Sequence, residues 1–236
     1  MPTFLHRANS RGHANFGWLN SYHTFSFGEY HHPERVHFGA LRVLNDDTVA
    51  GGGGFPRHPH ANMEIVSIPL SGDLFHRDST GREAVIRHND VQIMSAGSGI
   101  EHSEMNASKE ETVKFLQIWV FPKEKNIQPR YEQKTFLPEN RVNQLLTVVA
   151  PDDANALWIN QDAWFTLGNL SEGREAEYTL HKTGQGVYVF VLDGNMNVNG
   201  IELSARDGLG VPDADALTIK ATTATNFLLI EVPMHF

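Results

Sequence analysis

The amino-acid sequence predicts an all-β protein built as two tandem β-barrels. Short apolar segments separated by turn residues run its whole length, and helical periodicity is scarce. The second half also repeats the grammar of the first. "VYVFVLDGNMNVNGIEL" and "MEIVSIPLSGDLFHRDSTGREA" both run strand, glycine turn, strand, glycine turn. A chain of 236 residues holds two barrels of about 100 residues each with a connector between them.

Taken in order, "YHTFSFGEY" alternates aromatic and polar residues as a half-buried strand does. Phe25 and Phe27 are spaced to share a face there, for core packing or as the wall of a pocket. "HFGALRVLNDDTVA" reads as a strand that ends in an Asn45-Asp46-Asp47 turn. "EIVSIPLSGDLFHRDSTGREAVI" is hairpin grammar, with strands parted by Ser-Gly-Asp and Ser-Thr-Gly turns. "DVQIMSAGSGIEHSEM" and "VKFLQIWVF" continue the pattern, and "SKEETV" offers a short helical turn. Residues 121–133, "FPKEKNIQPRYEQ", are charged, carry two prolines and read as a connector. The chain therefore divides into barrels of residues 1–132 and 133–236, with strand grammar resuming in "QLLTVVAP" and "ALWINQDAWFTLGNL".

Composition narrows the function. Forty per cent of residues are hydrophobic and 20% charged, as in ordinary globular proteins. There is no cysteine, so any metal must be held by His, Asp or Glu. Nineteen basic against 28 acidic residues give a net charge of −9, which argues against direct nucleic-acid contact. No apolar run approaches the ~20 residues of a membrane span. The N-terminus lacks a leader pattern, so a cytoplasmic protein is expected; a monomer is the expected state.

Histidine is the unusual residue: 13 in all, eleven of them at or before position 102. Alternate residues of a strand share a face with spacings of about 6.5–7 Å. His58 and His60 can therefore reach one ion, and His102 and Glu104 can do the same from a second strand. Three imidazoles and a carboxylate suit Fe, Mn, Ni, Cu or Zn and leave positions open for substrate and dioxygen or water. Glycine clusters flank both pairs. His13 and His23 buttress or line a pocket in this reading, His31 and His32 lie in a loop, and His76 and His88 are solvated. His181 has no second histidine at ligand spacing, so the second barrel is expected to bind no metal.

These stretches resemble a known family. "GGGGFPRHPHANME" is similar to the first cupin motif, through Gly52, His58, His60 and Glu64, with Gly72 soon after. "SAGSGIEHSEMN" is similar to the second, through Gly99, His102 and Asn106. Gly97 stands where proline is common, and Asp90-Val91 where a glycine is usual; both departures resemble pirins. So do "RGHANFGWLNSYHTFSFGEYHHP", "HFGALRVLNDD", "LQIWV" and "PRYEQ", so that the likeness spans residues 7–132. The remainder is similar, more loosely, to a second cupin barrel.

The resemblance implies a bicupin, two tandem cupin barrels of jelly-roll type, whose first barrel holds one divalent metal. By family likeness the metal is Fe(II), with Zn, Mn, Ni, Co or Cu as substitutes, and the ligands are His58, His60, His102 and Glu104. Most cupins use the glutamate of the first motif, here Glu64, which stays as the rival carboxylate or as support for a ligand histidine. Some pirins act as quercetin 2,3-dioxygenases. The implied function is therefore opening of a flavonol's central ring by dioxygen with release of carbon monoxide, and Glu104 is the implied catalytic base. The alternatives are a metal-bound redox-sensing protein that regulates a protein partner, or a cupin enzyme acting on another small metabolite.

Overall fold

The computed structural model describes residues 2–236. In the first half the strands are β1 (Phe4–His6), β2 (Gly12–Asn15), β3 (Leu19–His23), β4 (Leu41–Val49), β5 (Gly54–His60) and β6 (Glu64–Ser71), then β7 (Leu74–Asp78), β8 (Glu83–Ile86), β9 (Asp90–Ser95), β10 (Ile100–Asn106), β11 (Val113–Val120) and β12 (Arg130–Thr135). The second half adds β13 (Gln144–Ala150), β14 (Leu157–Trp158), β15 (Trp164–Leu170), β16 (Glu175–Thr179) and β17 (Gln185–Asp193), then β18 (Asn195–Val198), β19 (Ile201–Ser204), β20 (Gly208–Pro212), β21 (Ala216–Ala221) and β22 (Thr225–Pro233). Two short 3-10 turns are the only helical elements among the described residues. Among the described residues no helix is long and apolar enough to cross a membrane.

The protein is all-β, and each half pairs one seven-stranded sheet with one of four strands. The first half contributes β12-β9-β6-β11-β4-β3-β2 and β5-β10-β7-β8. The second contributes β1-β20-β17-β22-β15-β13-β14 and β16-β21-β18-β19, so the first strand of the chain is stitched into the sheet of the second half. Strand alternation gives each large sheet an inner and an outer face. On the outer faces, Val66, Ile68 and Ile118 of the first half join Val149, Phe165, Leu228 and Ile230 of the second in one buried cluster. The largest core therefore lies between the halves.

The two barrel interiors differ. The second is filled with aliphatic side chains such as Val187, Val189, Leu209, Ile219 and Leu229. In the first, β11 supplies Phe115 to an apolar cluster at one end and Trp119 to another at the opposite end. Between them runs a row of polar residues in ladder register, His23, Asn45, Gln117, Ser67, Gln92 and Gln133, contributed by six neighbouring strands. A polar layer through a barrel interior must be hydrogen-bonded or must face a ligand.

Several local expectations are corrected. The Asn45-Asp46-Asp47 triplet does not turn the chain; it runs mid-strand in β4, with Asn45 and Asp47 buried toward the barrel interior. "SKEETV" forms no helix, because Asn106 Nδ2 ties the loop by donating to Val49 O and Glu111 O at 3.1 and 2.7 Å. The last part of the 121–133 connector is strand, since β12 pairs with β9 from Arg130 onward. The chain also leaves regular strand geometry after His23, so Phe25 and Phe27 do not share a face. Phe25 enters the core between the halves, while Phe27 packs edge-on to Trp119 at 5.4 Å.

Candidate metal centre and its cavity

β5 and β10 pair antiparallel with His58 opposite His102 and His60 opposite Ile100. The register then slips: Glu104 faces Phe55, so β5 carries one extra residue in a bulge at Pro56 and Arg57. Prolines are tolerated because β5 is an edge strand with no further ladder to feed. The bulge also fixes a ring. His58 Nδ1 lies 2.7 Å from Pro56 O, which can only accept, so Nδ1 carries a hydrogen and Nε2 is the atom left to face a ligand.

The pairing brings three imidazoles together. Ring centroids are 4.8 Å apart for His58 and His60, 4.5 Å for His58 and His102, and 4.9 Å for His60 and His102. One nitrogen from each lies within 4.8 Å of the others. Burial, reinforced by the neighbouring rings, pushes the proton affinity of His60 down to about 4 and that of His102 down to about 2. Both rings are therefore neutral at pH 7 and offer lone pairs. Both nitrogens of His102 are buried without a hydrogen-bond partner, a costly state for a polar group unless a ligand engages it.

Glu104 lies on the same strand and the same face as His102, buried at the barrel's polar layer. Its Oε1 accepts from Ser67 Oγ at 3.0 Å and its Oε2 from Gln117 Nε2 at 2.6 Å. Burial raises its carboxyl to about 7 against the pull of those two donors. Glu64 is placed elsewhere. The chain turns after His60, with Asn62 at a φ of 51°, and Glu64 opens β6 in the other sheet. Its Oε2 accepts from Ser95 Oγ at 2.7 Å and from the Asn160 amide of the second half at 3.2 Å. Regular-strand parity from His58 to Glu64 does not apply, because these residues belong to two strands of different sheets.

His76 was missed by sequence reasoning, which placed it in solvent. It is fully buried on β7, opposite Glu104, and its ring lies 5.4 Å from that of His102. The available signal was the alternation in "LFHRD", which puts His76 and Asp78 on the face of the buried Leu74. His88 is exposed, and His31 and His32 lie in irregular chain. In the second barrel, His181 Nδ1 meets the buried Glu231 Oε2 at 2.7 Å and its ring stacks on Trp164 at 4.4 Å.

The cluster opens on a cavity of about 690 Å³ whose walls include His23, Phe27, Asp47, Phe55, His58 and Trp119. His13 also borders it. Asp47 receives a hydrogen bond from Ser21 Oγ, and burial raises its carboxyl to about 7. His23 Nδ1 and Asn45 Oδ1, both in residues of the wall, are buried and unpartnered.

A family model described as pirin matches residues 5–120, and one described as the quercetinase C-terminal cupin domain matches residues 147–232. An Escherichia coli quercetin 2,3-dioxygenase is 40% identical over 98% of each chain. The chain belongs to the pirin family. A pirin-like protein of Caulobacter vibrioides is also 40% identical, over 93% of this chain and 95% of its own. The crystal structure of the bacterial pirin YhhW from Escherichia coli in complex with nickel(II) superimposes with a TM-score of 0.93, at 39% identity over 98% of this chain and 99% of that one. The pirin fold is thus a bicupin here. Neutral imidazoles with free lone pairs beside a buried carboxylate fit a divalent transition metal.

Proposed function

We propose that this pirin is a metal-dependent dioxygenase that opens the central ring of a flavonol such as quercetin with release of carbon monoxide. The reading is carried by one juxtaposition: a three-histidine cluster and a buried carboxylate at the edge of a cavity with aromatic walls. The residues assigned to the metal are His58, His60, His102 and Glu104. A bound ion would supply Lewis acidity toward an enolic hydroxyl and electron exchange with dioxygen.

The chain's own residues do the rest. Phe27, Phe55 and Trp119 give the cavity flat apolar walls suited to a planar polycyclic ligand. His23 Nδ1 and Asn45 Oδ1 await partners that ring hydroxyls can provide. Glu104 is the base assigned to the flavonol 3-hydroxyl proton, because its carboxylate stands at the cavity wall beside the histidine cluster. Ser67 and Gln117 hold its two oxygens and so fix where that proton is received. Chemistry is assigned to residues 1–132, and residues 133–236 support that barrel through contacts such as the Asn160 amide on Glu64.

The test is metal analysis of protein purified without added metal, then quercetin on the same sample. Anaerobic addition should shift the flavonol absorption, and aeration should consume oxygen and release carbon monoxide. A full metal complement with neither response would sink the proposal and leave the redox-sensing alternative.

A further inference from the structure

Behind the three-ring cluster lies another set of donors that the reaction proposed above does not use. Across the β7–β10 ladder, His76 faces Glu104 and Asp78 faces His102. One nitrogen each from His76 and His102 and one carboxylate oxygen from Glu104 lie within 4.8 Å of one another, and all three residues are buried. His76 Nε2 lies 3.0 Å from Asp78 Oδ2, an acceptor, so Nε2 carries the hydrogen and Nδ1 the lone pair. That Nδ1 is buried with no hydrogen-bond partner, and so are both nitrogens of His102.

Asp78 is itself fixed. Its Oδ1 accepts from the Thr80 hydroxyl at 2.6 Å, the Thr80 amide at 2.9 Å and the Arg82 amide at 3.3 Å. A carboxylate that holds the far nitrogen of an imidazole is the arrangement that orients histidine toward a metal. We propose that His76, His102 and Glu104 form an inner metal station that shares His102 and Glu104 with the outer set containing His58 and His60.

The two stations differ in chemistry. The inner set of two imidazoles and one carboxylate suits Fe(II) and Mn(II), whereas the outer set, richer in imidazole, suits Ni(II), Cu(II) and Zn(II) as well as Fe(II). A neutral His102 ring has one lone pair, so the stations exclude each other and the protein takes one ion at a time. His58, His60 and Glu104 border the cavity, and His76 does not. The inner station would thus hold an ion through one cavity-bordering residue, Glu104, and the outer one through three, so that the identity of the metal would select how far the ion is presented to the cavity.

The inference rests on the metal reading above, and manganese(II) binding followed by the loss of its free EPR signal separates the two. Wild-type protein should bind one equivalent. The double variant His58→Ala/His60→Ala should still bind one equivalent, and adding His76→Gln should weaken that binding about 100-fold, with Asp78→Asn costing about 10–100-fold. Nickel(II) affinity of the single variant His76→Gln should stay within about threefold of wild type. Wild type that binds manganese while the folded double variant does not would overturn the inner station and leave the metal reading standing. Wild type that binds nickel(II) but not manganese(II) would overturn the inner station alone, and wild type that binds neither ion would overturn both. Anomalous scattering from wild-type crystals soaked in manganese(II) needs no variant: density beside His76 Nδ1 supports the station, and density only among His58, His60 and His102 overturns it.

Discussion

At the scale of single residues, the two glutamates beside the histidines should separate cleanly. Glu104 lies in the barrel interior with the rings, whereas Glu64 is bonded to Ser95 and to the Asn160 amide of the second half. Glu104→Gln should lower metal retained after dialysis at least about tenfold, while Glu64→Gln should keep the metal and lower the unfolding midpoint. Metal loss in the second variant alone would reverse the assignment. Asp47 gives a pH test on metal-free protein. Burial raises its carboxyl to about 7, above its unfolded value, so the folded state keeps a proton that the unfolded chain has released. Stability contributed by that group is therefore lost as pH rises from about 4 to about 7. Asp47→Asn should gain on wild type between pH 5 and pH 7 in urea melts; a difference constant with pH would refute the cause. The His58–His60 and His102–Glu104 pairs were legible in the sequence because side-chain parity in strands is local, and it was the family resemblance that joined the two pairs. The burial of His76 and the separation of Glu64 were not, because they depend on which sheet each strand joins.

At the scale of elements, the candidate site depends on how closely β5 approaches β10. Gly54 begins β5, and a Cβ placed there would stand 2.5 Å from both Glu104 O and Met105 Cα, backbone atoms that cannot rotate away. Its φ of 156° adds a conformation that side chains rarely adopt. Gly54→Ala should push the edge strand outward and move His58 and His60 away from His102. We expect a stability loss of about 1–3 kcal/mol, together with metal affinity at least about tenfold weaker, read by chemical denaturation and by metal titration. Unchanged metal affinity would show that the strand spacing does not set the ring cluster. The strand grammar and the absence of helix were readable because apolar alternation recurs every few residues. The course of β4 was not. Asn45 and Asp47 look like turn residues by type, yet they run extended because the barrel interior is polar at that level, where Ser21 donates to Asp47.

At the scale of the whole molecule, the halves share their largest apolar core, and the first half lends a strand to the second. Val66, Ile68 and Ile118 pack in one cluster with Val149, Leu228 and Ile230, and β1 pairs with β20 rather than with its own half. The first barrel gives up its midline to polar groups and a cavity, so it has less apolar interior of its own than the second. Its stability therefore leans on the shared face. Unfolding of either half would expose that face and cost the other its core, which predicts one cooperative transition for the chain. Ile230→Ala should destabilise by about 2–5 kcal/mol. Hydrogen exchange should then show the slowest amides of β11 and of β17 losing protection by the same factor. Loss confined to β17 and its neighbours would mean that the barrel with the histidine cluster holds its structure alone, and that the second barrel does not support it thermodynamically.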